Sequence, residues 1–120
     1  MDKKKLDIVH TESSCGWGGQ EIRILTESAG MIARGHRVTI LCPPEARIFS
    51  EAQKRGIPVV ALPIAKKRAT GMFALRRWLA EHQPDVVNTH SSTDSWLTLL
   101  ALCFSANKIP VVRTRHISAP

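Results

Sequence analysis

Long apolar runs are absent from this sequence. No stretch approaches the roughly 20 residues that a membrane-spanning helix needs. Met1-Asp2-Lys3-Lys4-Lys5 leads into no signal-type apolar segment. A helical membrane protein and a secreted precursor are both disfavoured, and the expected location is the cytoplasm. Cysteine is scarce: Cys15, Cys42 and Cys103 are odd in number and form no C-x-x-C pair, so neither a disulfide framework nor a zinc site is suggested. None has a histidine beside it in sequence to activate it as a nucleophile, so small buried or loop roles fit better. Acidic residues are missing between Lys54 and Arg77, where seven basic ones fall (Lys54, Arg55, Lys66, Lys67, Arg68, Arg76, Arg77). The net charge of +7 is therefore largely local. That cluster lacks interleaved stacking aromatics and a recognisable binding module, which argues against nucleic acid.

What is present is the composition of a folded protein. Hydrophobic residues make up 43% and charged residues 22% of 120 residues, enough apolar surface for one domain with its own core. Short β-branched runs at Leu6–His10, Val38–Cys42, Ile57–Leu62, Asp85–Thr89 and Ile109–Thr114 alternate with segments of helical length. In Gln20–Arg34, Ile22, Leu25, Ala29 and Ile32 recur at three- and four-residue spacing, with Gly35 placed to end the helix. Pro44 and Glu45 suit the first turn of a second helix with Ile48, Phe49 and Ala52 inward and Gly56 closing it. A third is expected from about Thr70 to Gln83, and a fourth from about Thr93 to Phe104, capped by Thr93 or Asp94.

Continuous apolar strands joined by helices indicate an α/β fold, a Rossmann-like doubly wound parallel sheet of about five strands with helices on both faces. The sequence stops at Pro120 directly after the fifth strand, so the expected domain is incomplete. Ligands of such sheets bind outside the carboxyl ends of the strands, where the strand order reverses. With strands one to three on one side and four and five on the other, the reversal lies between strands one and four. Their exits carry His10-Thr11-Glu12-Ser13-Ser14 and His90-Ser91-Ser92-Thr93-Asp94, and the fifth strand leaves through Arg113-Thr114-Arg115-His116. Three of five histidines thus share one rim. A histidine bonded to a loop is the commoner reason for any single one. No H-x-x-x-H or carboxylate spacing supports a shared metal.

Two further segments carry two readings each. Cys15-Gly16-Trp17-Gly18-Gly19-Gln20-Glu21 lies between the first strand and first helix, where glycines let a backbone approach a diphosphate at a helix N-terminus. It is neither the G-x-G-x-x-G fingerprint nor a P-loop, so on its own the signal is weak, and the plainer reading is a tight turn needing positive φ. Lys66-Lys67-Arg68 precedes a helix with Met72, Phe73, Leu75, Arg76, Arg77, Trp78 and Leu79. Such a helix can dock on an anionic membrane, or Leu75, Trp78 and Leu79 pack on the sheet and leave a solvated basic face.

Four segments in order, Gly18-Gly19-Gln20-Glu21, Ala33-Arg34-Gly35-His36-Arg37-Val38-Thr39, Gln83-Pro84-Asp85-Val86-Val87-Asn88-Thr89-His90 and Pro110-Val111-Val112-Arg113-Thr114-Arg115-His116, resemble the N-terminal domain of GT-B glycosyltransferases of family 4. These include enzymes of lipopolysaccharide and other glycolipid assembly. The resemblance implies a retaining transferase that moves sugar from a nucleotide-sugar donor to a lipopolysaccharide or other glycolipid acceptor, with no further cofactor and no metal. It implies that residues 1–120 form the acceptor-side domain, that the donor-binding domain with its paired-glutamate motif is absent, and that this stretch alone is inactive. By the same resemblance, Gly18 and Gly19 lie at the donor diphosphate and His116 contacts the transferred sugar, as the catalytic residue. His10, Glu21, His90 and Ser91 face the acceptor, and Lys66, Lys67, Arg68, Arg76, Arg77 and Trp78 dock on the anionic inner membrane as a peripheral protein. Ile117 and Ser118 follow His116 where family members often carry an acidic residue. The competing classes are a non-catalytic module that binds membrane or a partner, and a flavodoxin-like cofactor binder.

Overall fold

Alternating β-branched and helical segments fold as the pattern requires. A computed structural model of the chain describes residues 5–103 and 109–114. In chain order the elements are β1 (Asp7–Thr11), α1 (Gly19–Ala33), β2 (Arg37–Cys42), α2 (Arg47–Lys54), β3 (Val59–Ala61), α3 (Ala69–His82), β4 (Val86–Thr89), α4 (Ser92–Cys103) and β5 (Val111–Arg113). The strands form one parallel sheet in the order β3-β2-β1-β4-β5. The reversal between β1 and β4 expected from the sequence is present.

Strand alternation sorts the side chains into two cores. Val9, Leu41 and Val87 point to one face, where Leu75 and Leu79 of α3 and Leu97 and Ala101 of α4 cover them. Ile40 and Cys42 point to the other, against Ile24 and Leu25 of α1 and Ile48 and Ala52 of α2. Burying each such Leu or Ile contributes about 1.5–3 kcal/mol, which is why the helices lie flat on the strands. At Gly71, in the first turns of α3, an added Cβ would stand 2.5 Å from the Pro63 carbonyl oxygen. Only glycine lets α3 come this close to the strand-to-helix connection.

Helix ends follow their residues. Gly35, with φ of 93°, turns the chain out of α1. Gln83, at φ 45°, and buried Pro84 do so after α3. His36 then works at the N-terminal end of the strands, where its Nδ1 accepts the Leu6 N–H at 3.1 Å.

Two details differ from the sequence pattern. The buried strip of α1 is Glu21, Ile24, Leu25 and Ser28, while Ile22, Ala29 and Ile32 are exposed. Apolar spacing alone leaves out the two polar residues on the inner face and so rotates the expected face around the helix. Pro44 and Glu45 precede α2 instead of opening it: Pro43 accepts the Ala46 N–H at 3.1 Å, a turn in which Pro44 presets φ.

On the α1 side, the sheet beyond β1 is open among the described residues. A cavity of about 480 Å³ there is lined by Leu6, Ile8 and Val86, with His10 and Asn88 towards the strands' carboxyl ends.

Candidate functional site

The carboxyl ends of β1 and β4 meet in a buried polar cluster. His10 faces the α1 side of the sheet, and its Nδ1 lies 2.8 Å from Nε2 of His90, the first residue past β4, with ring centroids 5.1 Å apart. Burial pushes the His10 pKa down to about 4, so this ring is neutral at neutral pH. Thr11, pointing the other way, donates its hydroxyl to Asp94 Oδ2 at 2.5 Å. Asp94, fully buried, also accepts the backbone N–H groups of His90 and Ser91, each at 2.9 Å, and the Ser91 hydroxyl. Ser13 Oγ and Ser91 Oγ are 2.7 Å apart across the same gap.

Asp94 therefore does not cap α4 from outside. It sits in the first turn and reaches back to Ser91, the residue before the helix, as the carboxylate of a capping box does. The Ser91-x-x-Asp94 spacing ahead of an apolar run is the signal that marks this role in the sequence.

Glu12 continues the cluster towards the glycine loop. It is fully buried, accepts the Ser14 N–H at 3.0 Å and is bonded to the Gln20 side chain. Burial, with the nearby Asp94 and Glu21 carboxyls adding to it, pushes the Glu12 pKa up to about 7 against the lowering effect of the Ser14 and Gln20 bonds. Charge in the exit segment is visible in the sequence, but the folding of Ser14 and Gln20 over it is not.

Glycines in the following loop are not there for backbone conformation. Positive φ among the glycines is confined to Gly35 and Gly56, and Gly18 is extended at φ −169°. Among the described residues an added Cβ would meet nothing within 4 Å at Gly19 and only Glu21 Oε2, at 3.8 Å, at Gly18. Among the described residues no side chain caps α1, so its first N–H groups point to the rim without a side-chain partner there. Trp17 anchors the loop by packing on the α1–α2 core, with the Arg47 guanidinium over its ring at 5.1 Å.

The rim thus brings together His10, His90, Ser91, Gly18 and Gly19, with Glu21 buried in the first turn of α1. His116 lies outside the described residues. The basic segment is elsewhere, at the start and outer face of α3. Lys66, Lys67, Arg68, Arg76 and Arg77 are exposed, and Arg77 pairs with Glu81 at 3.1 Å. Trp78 is half-buried, packs on the α3–α4 core and stacks on His82 at 4.0 Å, which leaves Phe73, 55% exposed, as the apolar group among the cations. Among the described residues no helix is long and apolar enough to cross a membrane, and no three His, Cys, Asp or Glu side chains converge as a metal site. Burial pushes the Cys42 thiol up to about 12, far from a reactive thiolate.

Comparison with known proteins adds the family. No curated protein sequence matches the chain. Its fold is shared with MurG of Acinetobacter baumannii (TM-score 0.71, 17% identity, 93% of this chain and 35% of that one). It is shared also with a glycosyltransferase of Rickettsia africae (0.74, 16%, 92% and 30%). The third is the lipopolysaccharide outer core galactosyltransferase WaaB (0.71, 18%, 92% and 33%). The chain spans about a third of the length of these structures. Residues 17–120 match Glycosyltransferase Family 4, the family that the four sequence segments resemble, and the chain belongs to it.

Proposed function

We propose that this chain is the acceptor-side domain of a retaining glycosyltransferase that moves a sugar from a nucleotide-sugar donor to a lipopolysaccharide or other glycolipid acceptor. The observation that carries the reading is the glycine loop. Gly18 and Gly19 serve neither backbone conformation nor packing, and they stand before an uncapped helix N-terminus on the rim where the strand order reverses. Bare backbone at such a place suits close approach by the donor's diphosphate. His10, His90, Ser91 and Glu21 then belong to the acceptor side, and His116 to the transferred sugar.

Stabilising a departing nucleoside diphosphate takes donors from both walls of a closed cleft. The rim supplies one wall. The donor-binding domain is assigned to polypeptide outside these 120 residues, and the chain alone does not turn over. The protein works in the cytoplasm, held at the inner membrane by Lys66, Lys67, Arg68, Arg76, Arg77 and Phe73, with Trp78 bracing the helix from behind. That exposed basic face with its one apolar group also favours a second reading, a non-catalytic module that binds membrane or a partner.

Immunoblotting of the native polypeptide with an antibody against this segment, with sequencing of the DNA past the Pro120 codon, separates the two. A product of about two domains' length with a paired-glutamate motif downstream supports the transferase. A native product ending at Pro120 overturns it and leaves the module.

A further inference from the structure

The glycine loop hangs from the residue directly after β1. Glu12 continues the strand by one position, donating its N–H to the Leu41 carbonyl of β2 at 3.0 Å, and its side chain is fully buried. Its two carboxyl oxygens serve opposite ends of the loop. Oε1 accepts the Ser14 N–H at 3.0 Å, and Oε2 accepts the Gln20 side-chain amide. Residues 15–19 therefore span between two feet that rest on one carboxyl group. From the first foot the hold extends inward, since Ser14 Oγ accepts the Gly16 N–H at 3.1 Å.

Folding alone gives no reason for a carboxyl group at this position. Its hydrogen-bond partners are neutral, and Glu21 and Asp94, whose charges act on it, have its own sign. A carboxyl buried in such surroundings costs stability that an apolar side chain of similar size would not. What it does that an apolar side chain cannot is hold the Ser14 backbone and the first turn of α1 at a set separation. Trp17, packed on the α1–α2 core, ties down the middle of the loop. Gly18 and Gly19 follow with no side chain of their own to hold them. Bare backbone samples many conformations unless its ends are fixed, and having to order it on binding would weaken whatever binds there.

Resting on the donor reading above, we infer that Glu12 is a positioning residue for the donor: by holding Ser14 and Gln20 together across the loop, it fixes the Gly18–Gly19 backbone in the form that receives the diphosphate. It acts through the loop and, being buried, does not touch the donor itself. Glutamine at this position can make the same two bonds, accepting the Ser14 N–H and donating to the Gln20 carbonyl oxygen once that amide turns over. Alanine can make neither. Gln20→Ala cuts the second bond from its half-buried end, outside the core.

The test follows the Gly16, Gly18 and Gly19 amides of the ¹⁵N-labelled 120-residue chain in the wild type, Glu12→Ala, Glu12→Gln and Gln20→Ala. Heteronuclear NOEs read the order of the loop, and titration with inorganic pyrophosphate reads its affinity. The wild type is expected to show rigid loop amides and saturable shifts at Gly18 and Gly19. Glu12→Ala and Gln20→Ala are expected to lower the NOEs and weaken pyrophosphate about tenfold, with Glu12→Gln recovering most of both. An unchanged NOE or an unchanged affinity in Gln20→Ala overturns the inference, as does a Glu12→Gln variant as impaired as Glu12→Ala. If Glu12→Ala does not fold, Gln20→Ala and Glu12→Gln against the wild type decide the matter. A wild type that shows no pyrophosphate shifts overturns the donor reading and the inference with it, whereas wild-type shifts that Gln20→Ala leaves untouched remove the role of Glu12 alone.

Discussion

His10 Nδ1 and His90 Nε2 lie 2.8 Å apart, buried, across the point where the strand order reverses. Two neutral imidazoles can share one N–H in that contact, whereas two imidazolium rings cannot. The bond therefore ties the shape of the rim to protonation state, and the adjoining Glu12 carboxyl is tied to it in the opposite sense.

The pH dependence of stability follows with definite signs. His10 is lowered to about 4 in the fold. The unfolded chain therefore binds the extra proton first, and its contribution, full above about 6.5, is lost as pH falls towards 4. Glu12 is raised to about 7, so its contribution is full below about 4.5 and is lost as pH rises through 7. Each is on the order of 3 kcal/mol, and in the wild type they largely offset one another between pH 5 and 6. Glu12→Gln removes one arm. Urea melts from pH 5 to 8 should show the variant gaining on the wild type by about 2–3 kcal/mol. A constant difference across that range would sink the assignment.

Gly71→Ala should destabilise the chain by about 1–3 kcal/mol despite the roughly 1 kcal/mol that alanine gains over glycine in a helix. Its Cβ would press on the Pro63 carbonyl. Thermal melts that show a rise instead would mean that α3 can move off that connection freely.

Ser28→Ala should have the opposite sign. Among the described residues the Ser28 hydroxyl, buried on the inner face of α1, has no hydrogen-bond partner, so its removal relieves a desolvated polar group and favours the helix, by about 1 kcal/mol together. A loss of stability of that size would show that the hydroxyl is bonded after all.

These two positions also mark what can be read from sequence. The five strands, their order and the polar rim were legible, because β-branched runs, Gly35, Gly56 and Pro84 punctuate the chain locally. The inner face of α1 was not, since Ser28 and Glu21 are buried by the way the helix crosses β2 and by nothing in their own character. Asp94 was legible as a helix-start residue, but its grip on Thr11, 83 positions away in the chain, is a tertiary fact. The burial of Glu12 under Ser14 and Gln20 is of the same kind.

The basic face should be separable from the rim. Replacing Lys66, Lys67 and Arg68 together by glutamate is expected to weaken binding to phosphatidylglycerol vesicles roughly 100-fold, at about 1 kcal/mol per basic residue removed, and the wild-type binding should fade as salt is raised. Sedimentation with the vesicles measures this. Equal binding by the triple variant would remove the membrane role from Lys66, Lys67 and Arg68.

That the glycine loop admits a nucleotide-sugar donor is the core of the proposed function. Its most direct test is transfer of labelled sugar to a glycolipid extract by the full-length gene product, wild type against Gly19→Val. Because a side chain at Gly19 points into open space, the variant should fold and melt like the wild type, yet lose roughly 100-fold or more in transfer as the donor is displaced. Transfer undiminished by Gly19→Val, or none by the wild-type product with any nucleotide-sugar, would contradict the claim.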